Sequence, residues 1–553
     1  MVVDGADVDA DLVTEVRRAS LVRSLRGTLS ASCRAAGFVA PTYTWERWQS
    51  RCKLRELLSP PSSSSSVAAS DEVLPCDARV DDGCVADLVR GGCEPAEAAA
   101  IVAALGRAAA DAARELADFS ASLLSLPPST PTPGLAGGGG GSGSDGTGEK
   151  GCDTDESGEG LSNRRRKRIK LRRRRAMRTA AAAATRDGVD GLAGGGGRKR
   201  QRTSLLEQEV ALHTVQVRSH RHSVDFSLRS GGKRLFKLNH GHYEKLRMLM
   251  AASCGGGGGD GGVSESDFHK LVYCVLSRYH SVLGHGFQMA LGEQAFDVLR
   301  AWFDVRFECF ASPLNCTCSS YASAFPLTDR CFGAVGNFFS LRPSSGSFEA
   351  NPPFIAEVMS AMVAHIHMLL RDATGPMSFV VIVPGWLDDP SWAALSASSF
   401  KCAFFLVAAA DHGFCDGAQH QRQDRYREST YDTGVFVLQN RQGKMKWPVI
   451  RTAESAAAAL ALGKGTHCNS SVSSAVCSDS GIAMASRDSS ASDMSVEVPL
   501  RRAMARAIPT EMMRLRRLRD GRGHGDLDGG GGVYRGKKAN KSSGKKRSID
   551  DDD

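Results

Sequence analysis

SGSFEANPPFIAEVMSAMVAHIHMLLRDATGPMSFVVIVP, residues 345–384, is the stretch on which the fold turns. Ile355, Val358, Met359, Met362, Val363, Ile366, Leu369 and Leu370 recur at helical spacing, so 355–372 reads as an amphipathic helix. SFVVIVP (378–384) is a continuous apolar run of the kind that forms a strand buried on both faces. Working outward, RFECFA (306–311), CAFFLVA (402–408) and TGVFVLQN (433–440) read as further strands. Strand-like and helix-like segments thus alternate, which is the signature of an α/β sheet.

The rest of the chain adds less core than its length implies. Of 553 residues, 59 are glycine and 7% are aromatic, so much of the chain reads as linker around one large core. Residues 1–126 read as a helical part. It carries Leu12, Val16, Leu21 and Leu25 at helical intervals, a charged segment PTYTWERWQSRCKLRELL (41–58), and an alanine-rich helix over 94–125. Residues 127–204 are Gly-, Ser- and Pro-rich around a basic tract and are expected to be a disordered insertion. CGGGGGDGG (254–262) reads as a tolerated surface loop. Residues 205–300 are expected to be a helical, substrate-binding part, 301–450 the sheet core, and 451–553 a mostly disordered tail with a helix around 498–519.

Seventy basic against 61 acidic residues give a net charge of +9, which permits an acidic polymer as partner without requiring one. Placement says more. From Arg164 to Arg175 every residue but Ile169 and Leu171 is Lys or Arg, a pattern that fits nuclear import or a phosphate-binding arm, or a solubilising charge run. The start of the chain is acidic and no apolar run approaches membrane-spanning length, so a membrane role is not expected and a soluble intracellular protein is. The 16 cysteines include no CxxC pair and are expected to be reduced. Cys316-Thr317-Cys318 lacks a partner pair, so no metal site is expected. His365 and His367 stand two apart on one helix and cannot share a face.

Asn351-Pro352-Pro353-Phe354 stands between a strand approach and the long helix, at the sheet edge where open α/β folds bind ligands. The lone pair of an adenine exocyclic amine is delocalised into the ring, which makes it a poor nucleophile. Acceptors at the Asn351 side-chain oxygen and the Pro352 carbonyl would each hold one amine hydrogen, favouring a pyramidal nitrogen, while Phe354 stacks on the base. On its own the tetrapeptide also reads as a helix N-terminus with Asn351 as cap and prolines in the first turn.

Its surroundings narrow the choice. Phe310-Ala311-Ser312-Pro313-Leu314-Asn315-Cys316, Ser323-Ala324-Phe325-Pro326, Thr328-Asp329, Phe332-Gly333 and the block Ser345 to Phe354 resemble the catalytic block of the phosphorylated-CTD-interacting-factor family. Further similarity runs through LVYCVLSRYHSVLGHG (271–286), SFVVIVPGW (378–386), GAQH (417–420) and VFVLQN (435–440), so that about 205–450 is covered, with a faint echo at WERWQSRCKLRE (45–56). Members of that family are cap-specific adenosine N6-methyltransferases. The resemblance implies a Rossmann-like S-adenosylmethionine-dependent methyltransferase core at 301–450 with an accessory helical domain. It implies transfer from S-adenosylmethionine to the N6 amine of the 2′-O-methyladenosine beside a 7-methylguanosine cap, and hence capped RNA as partner and the nucleus as location. Carried over residue by residue, it makes Asn351, Pro352, Pro353 and Phe354 catalytic and assigns Phe310, Ala311, Ser312, Pro313, Leu314, Asn315, Phe332 and Gly333 to the cofactor. No GxGxxG is present.

Animal members carry a WW module, and this chain has no pair of tryptophans about 20 residues apart near its start, Trp45 and Trp48 being too close together. The module is therefore expected to be missing, which removes the obvious route to the C-terminal domain of RNA polymerase II as a partner. For RNA contact, KRLFKLNHGHYEKLR (233–247) with Arg278-Tyr279 combines cations and aromatics, which makes Lys245, Arg247, Arg278 and Tyr279 the candidates. Trp386 joins them as a stacking residue that core packing would also explain. The alternatives are an N6-adenine methyltransferase for another nucleic acid and a catalytically silent nuclear RNA-binding protein.

Overall fold

The computed structural model describes residues 5–58, 80–124, 205–229, 235–254, 263–282, 285–422, 424–452, 457 and 493–508. The basic tract, the remainder of 127–204, the glycine loop at 255–262 and most of the tail beyond 452 lie outside the described residues.

A seven-stranded sheet organises the chain. Its strands are β1 (Phe307–Glu308), β2 (Ser320–Ala322), β3 (Ala334–Gly336), β4 (Gly346–Ala350), β5 (Met377–Pro384), β6 (Lys401–Val407) and β7 (Thr433–Gln439). They lie in the order β3-β2-β1-β4-β5-β7-β6. Neighbours from β3 to β5 are parallel, whereas β7 runs antiparallel to both β5 and β6. The protein is thus mixed α/β with a largely parallel sheet. Its first five positions follow the order of doubly wound folds, with the direction of winding reversing between β1 and β4. Every residue of β5 is buried, as its unbroken apolar run requires of a strand flanked on both edges and covered on both faces.

The helices used below are α1 (Gly5–Ala35), α2 (Thr44–Leu58), α3 (Asp82–Arg90), α4 (Pro95–Leu124), α5 (His240–Cys254), α6 (Glu265–Val282), α7 (Glu293–Phe303), α8 (Ala356–Asp372) and α9 (Glu497–Ala505). α8 is the crossover from β4 to β5 and packs Met359, Met362, Val363 and Ile366 against Phe348, Phe379 and Phe436. On the opposite face α7 and α9 bring Trp302, Phe303, Leu500 and Met504 against Val380, Ile382, Val435 and Val437. The first part of α1 packs on α6 through Val8 and Leu12, and its second part forms a separate core with α2, α3 and α4 around Trp48. Trp45 and Trp48 lie in that core with ring centroids 5.2 Å apart.

One expectation about the elements differs from what forms, and two strands form where none was expected. Residues 205–300 were expected to be helical, yet Val215–Ser219, Ser223–Leu228 and Phe236–Asn239 make a three-stranded antiparallel sheet. β2 and β3 had no signal, because strands of three residues carry no readable alternation. The described cysteines are not joined to one another in disulfides, and no described helix is long and apolar enough to cross a membrane.

Candidate active site

The reversal of winding leaves a crevice at the carboxyl ends of β1 and β4, and the tetrapeptide lies at its rim. Two cavities meet there. The first, about 170 Å³, is lined by Cys309, Phe310, Ala311, Ser312 and Asn315 after β1, Ala322 to Phe325 after β2, Asn337 to Phe339, and Gln49, Lys53 and Leu54 of α2. The second, about 740 Å³, is lined by Tyr43, Arg47 and Arg51, by Arg90 of α3, and by Pro352, Phe354, Trp386, Phe414 and Tyr431. Asn351, Phe287 and Met289 border both. The tetrapeptide is split between them, with Pro353 facing the first cavity and Pro352 and Phe354 the second.

Asn351 is held rather than loose. Its Nδ2 donates to the Met289 carbonyl at 3.3 Å, which leaves Oδ1 as the amide atom available to a ligand. The Pro353 carbonyl accepts from the Ile355 amide at 2.7 Å, while the Pro352 carbonyl accepts no hydrogen bond among the described residues. Ile355, not Asn351, occupies the N-cap of α8, so Asn351 is not the helix cap that the tetrapeptide alone allowed.

The second cavity pairs an aromatic wall with a cationic one. Phe354 meets Trp386 edge to face at 6.4 Å and Phe414 at 6.5 Å, and Trp386 meets Tyr431 at 5.4 Å. Across from them Tyr43 packs edge to face on Phe287 at 5.4 Å. Tyr43 has φ +67°, a left-handed conformation that side-chain-bearing residues rarely adopt, immediately before α2 begins. Arg47 and Arg51 are held against Asp87, with Arg51 also on Asp81 at 2.8 Å.

The first cavity has the mixed lining a nucleoside-bearing cofactor needs. Phe310 and Phe338 stand 4.9 Å apart, and Ser312, Ser323 and Asn337 add polar groups. The turn after β1 is locked from within, since Asn315 Oδ1 accepts from the Ser312 amide at 2.7 Å and Nδ2 donates to the Gln288 carbonyl at 3.0 Å. Below this turn, Glu308 and Glu349 are in-register neighbours on β1 and β4, and both are buried. Burial pushes the Glu308 carboxyl up to about 7, against the Cys318 and Thr317 amides that stabilise its anion; burial and the adjacent Glu308 hold Glu349 well above the carboxylate range.

Several expected site residues do not reach either cavity. Pro313 and Leu314 are buried beneath the turn. Phe332 is fully buried and its carbonyl accepts from Tyr321 at 2.9 Å. Gly333 has φ +100°, and a Cβ there would stand 2.3 Å from the Ser319 carbonyl, so glycine serves the turn itself. The cationic cluster is likewise engaged within the protein, Lys245 and Arg278 being buried and Arg247 paired at the surface. Lys245 is 8% exposed beside Cys316 and Glu308. Arg278 donates to buried Glu15 at 2.9 Å and lies over Phe325. Arg247 pairs with Glu265 and lies over Phe268. Tyr279 borders the first cavity but its hydroxyl donates to Asp329. Trp386 alone of these candidates lines the second cavity. His365 packs against Phe338 while His367 is half-buried, and no group of three metal-ligating side chains converges among the described residues.

Sequence reasoning missed Tyr43, Arg47, Arg51, Phe287, Met289 and Tyr431. The only signal was the charged, aromatic 41–58 segment, and nothing local tied it to a tetrapeptide 300 residues away.

A family model described as the phosphorylated CTD interacting factor 1 WW domain matches residues 255–417. The expectation that the chain lacks the family's WW region is thereby corrected. The match falls in the middle of the chain, where Trp302, Trp386 and Trp392 lie, and not at the start where a tryptophan pair was sought. A mouse (Mus musculus) protein named mRNA (2'-O-methyladenosine-N(6)-)-methyltransferase is 38% identical over 226 residues, and its human (Homo sapiens) namesake is 37% identical over the same length. Each alignment takes in 38% of this chain and 31% of the relative, so the chain spans under a third of the relatives' length. The matched segment holds the turn after β1, the tetrapeptide and the strands on either side of the winding reversal, and over that segment the chain is similar to the phosphorylated CTD interacting factor family.

Proposed function

We propose that the protein is an mRNA cap-specific adenosine N6-methyltransferase, with a Rossmann-like core and the N-terminal helices completing its substrate cleft. The observation that carries this reading is that Asn351 stands on the wall shared by two cavities, one with a mixed aromatic and polar lining and one with edge-to-face aromatics beside arginines. Phe310, Ser312, Ser323, Asn337 and Phe338 would hold S-adenosylmethionine in the first cavity, where it would supply an electrophilic methyl group. The adenine lies in the second cavity on Phe354, with Trp386 and Tyr431 extending the stacking surface. Asn351 Oδ1 and the Pro352 carbonyl each accept one amine hydrogen, which directs the nitrogen lone pair toward the first cavity. Transfer forms the N6–methyl bond, breaks the sulfur–methyl bond and releases one amine proton to solvent. The catalytic contribution is placement and electrostatic preorganisation more than proton transfer.

Capped RNA is the substrate in this reading, with Arg47 and Arg90 bordering the cleft where its phosphates would run. Nuclear residence is part of the proposal and draws on the basic tract at 164–175. Contact with the phosphorylated C-terminal domain of RNA polymerase II is proposed from the matching family's description.

The test is methyl transfer to matched RNAs beginning in A or G, with a cap bearing or lacking the 7-methyl group, followed by nucleoside analysis. N6-methylation confined to the first adenosine of 7-methyl-capped RNA is the expected result. Equal transfer to uncapped or internal adenosines overturns cap specificity, and absence of transfer to any RNA overturns the assignment.

A further inference from the structure

Glu308 and Glu349 are two buried carboxyls, side by side in the sheet, that the transfer reaction does not use. They project from adjacent parallel strands in matching register, on the sheet face away from α8, and Asn351 follows Glu349 by two positions. Glu308 Oε1 accepts two backbone hydrogen bonds, from Thr317 at 2.7 Å and Cys318 at 2.6 Å. Those amides close the connection that starts with the Phe310–Asn315 turn, and that turn forms one wall of the first cavity. β1 itself is only two residues long, so the sheet ladder alone holds this connection weakly. The pair of amide bonds to Glu308 ties the turn's far end to the sheet.

We propose that Glu308 is a positioning residue for cofactor binding, its ionised carboxylate clamping the Thr317 and Cys318 amides so that the Phe310–Asn315 wall keeps its binding shape. Glu349 is the protonated partner that lets Glu308 ionise beside it, since two adjacent buried carboxylates cannot both be charged. The inference rests on the reading of the first cavity as the cofactor site. Glu308 is faced by Glu349 on β4, Lys245 on α5, Tyr321 on β2, and the thiols of Cys309, Cys316, Cys318 and Cys415. Of these Lys245 favours the anion. Burial pushes the Cys309, Cys316, Cys318 and Cys415 thiols and the Tyr321 hydroxyl upward, so they remain neutral through the range where Glu308 titrates.

The experiment is calorimetric binding of S-adenosylmethionine to the full chain and to Glu308→Gln and Glu349→Gln between pH 6 and 8.5, with amide hydrogen exchange followed over 310–319. Glu308→Gln is expected to bind about tenfold more weakly at pH 8.5, the scale set by loss of a charge-assisted hydrogen bond. The gap should close toward pH 6, where Glu308 in the unaltered protein is itself protonated; comparing the two proteins cancels the ligand's own titration. Exchange at Thr317 and Cys318 should quicken in Glu308→Gln, while Glu349→Gln should keep both affinity and pH dependence. Equal binding by Glu308→Gln at every pH, weaker binding with unchanged exchange, or loss of the pH dependence in Glu349→Gln each overturns the inference. If the unaltered protein does not bind S-adenosylmethionine, the reading of the cavity falls and takes the inference with it.

Discussion

The side-chain nitrogen of Asn351 donates to the main-chain oxygen of Met289, 62 residues earlier in the chain, at 3.3 Å. Met289 borders both cavities, so this bond pins the amide at their junction and leaves Oδ1 as its atom available to a ligand. The neighbouring groups divide between the two cavities, Pro353 facing the first and Pro352 and Phe354 the second.

Phe354 forms the floor of the aromatic wall, so Phe354→Ala should lower kcat/KM for RNA about 10- to 100-fold, as loss of one base-stacking contact does. S-adenosylmethionine affinity should be unchanged, because Phe354 does not line the first cavity. Trp386→Ala should act in the same sense and less strongly. Steady-state kinetics with capped RNA, beside cofactor calorimetry, make the comparison.

Arg278 is buried between Glu15 and Phe325. Arg278→Met should therefore cost stability on the order of 2 kcal/mol, by removing one of the two guanidiniums that hydrogen-bond the buried Glu15 carboxylate while Arg18 keeps it paired. RNA affinity measured below the unfolding transition should not change. A variant with native denaturant stability and reduced RNA affinity would restore Arg278 as a contact.

Glu349 makes stability fall as pH rises. Its folded pKa lies well above 4.5, so between the unfolded and folded values the native state binds the extra proton. Stability from this group is full below about pH 4 and falls as pH rises, since unfolding releases the proton more favourably. Glu349→Gln removes that dependence. Thermal melts should show the variant gaining more over the unaltered protein at pH 8 than at pH 5; a constant difference would contradict the assignment.

Tyr43 combines strain with placement. Relieving its φ of +67° by Tyr43→Gly should return about 1 kcal/mol of backbone energy, offset by the lost packing on Phe287. RNA affinity should fall, because the ring borders the second cavity and is 45% exposed to it and to solvent. Unchanged RNA affinity would remove Tyr43 from the site.

How much of this was legible in the sequence depends on whether the cause was local. α8 and β5 were readable because a 3.6-residue repeat and an unbroken apolar run are properties of the segment itself. The tetrapeptide was readable because its neighbours place it at a strand end. β2 and β3 were not, being three residues each. Lys245 and Arg278 look like solvated cations on helices, and only the fold brings Glu308 and Glu15 to them. The cleft's second wall was hidden for the same reason: Tyr43, Arg47 and Arg51 precede the tetrapeptide by some 300 residues, and no periodicity records a contact at that separation.

The most direct measurement compares Asn351→Ala with the unaltered protein in single-turnover methyl transfer to 7-methyl-capped RNA beginning in A, with S-adenosylmethionine affinity determined on the same samples. Removing the acceptor at the junction should cut the transfer rate at least about 100-fold, the scale of losing one preorganised acceptor, while leaving cofactor affinity within about twofold. A near-normal transfer rate in Asn351→Ala would contradict the account.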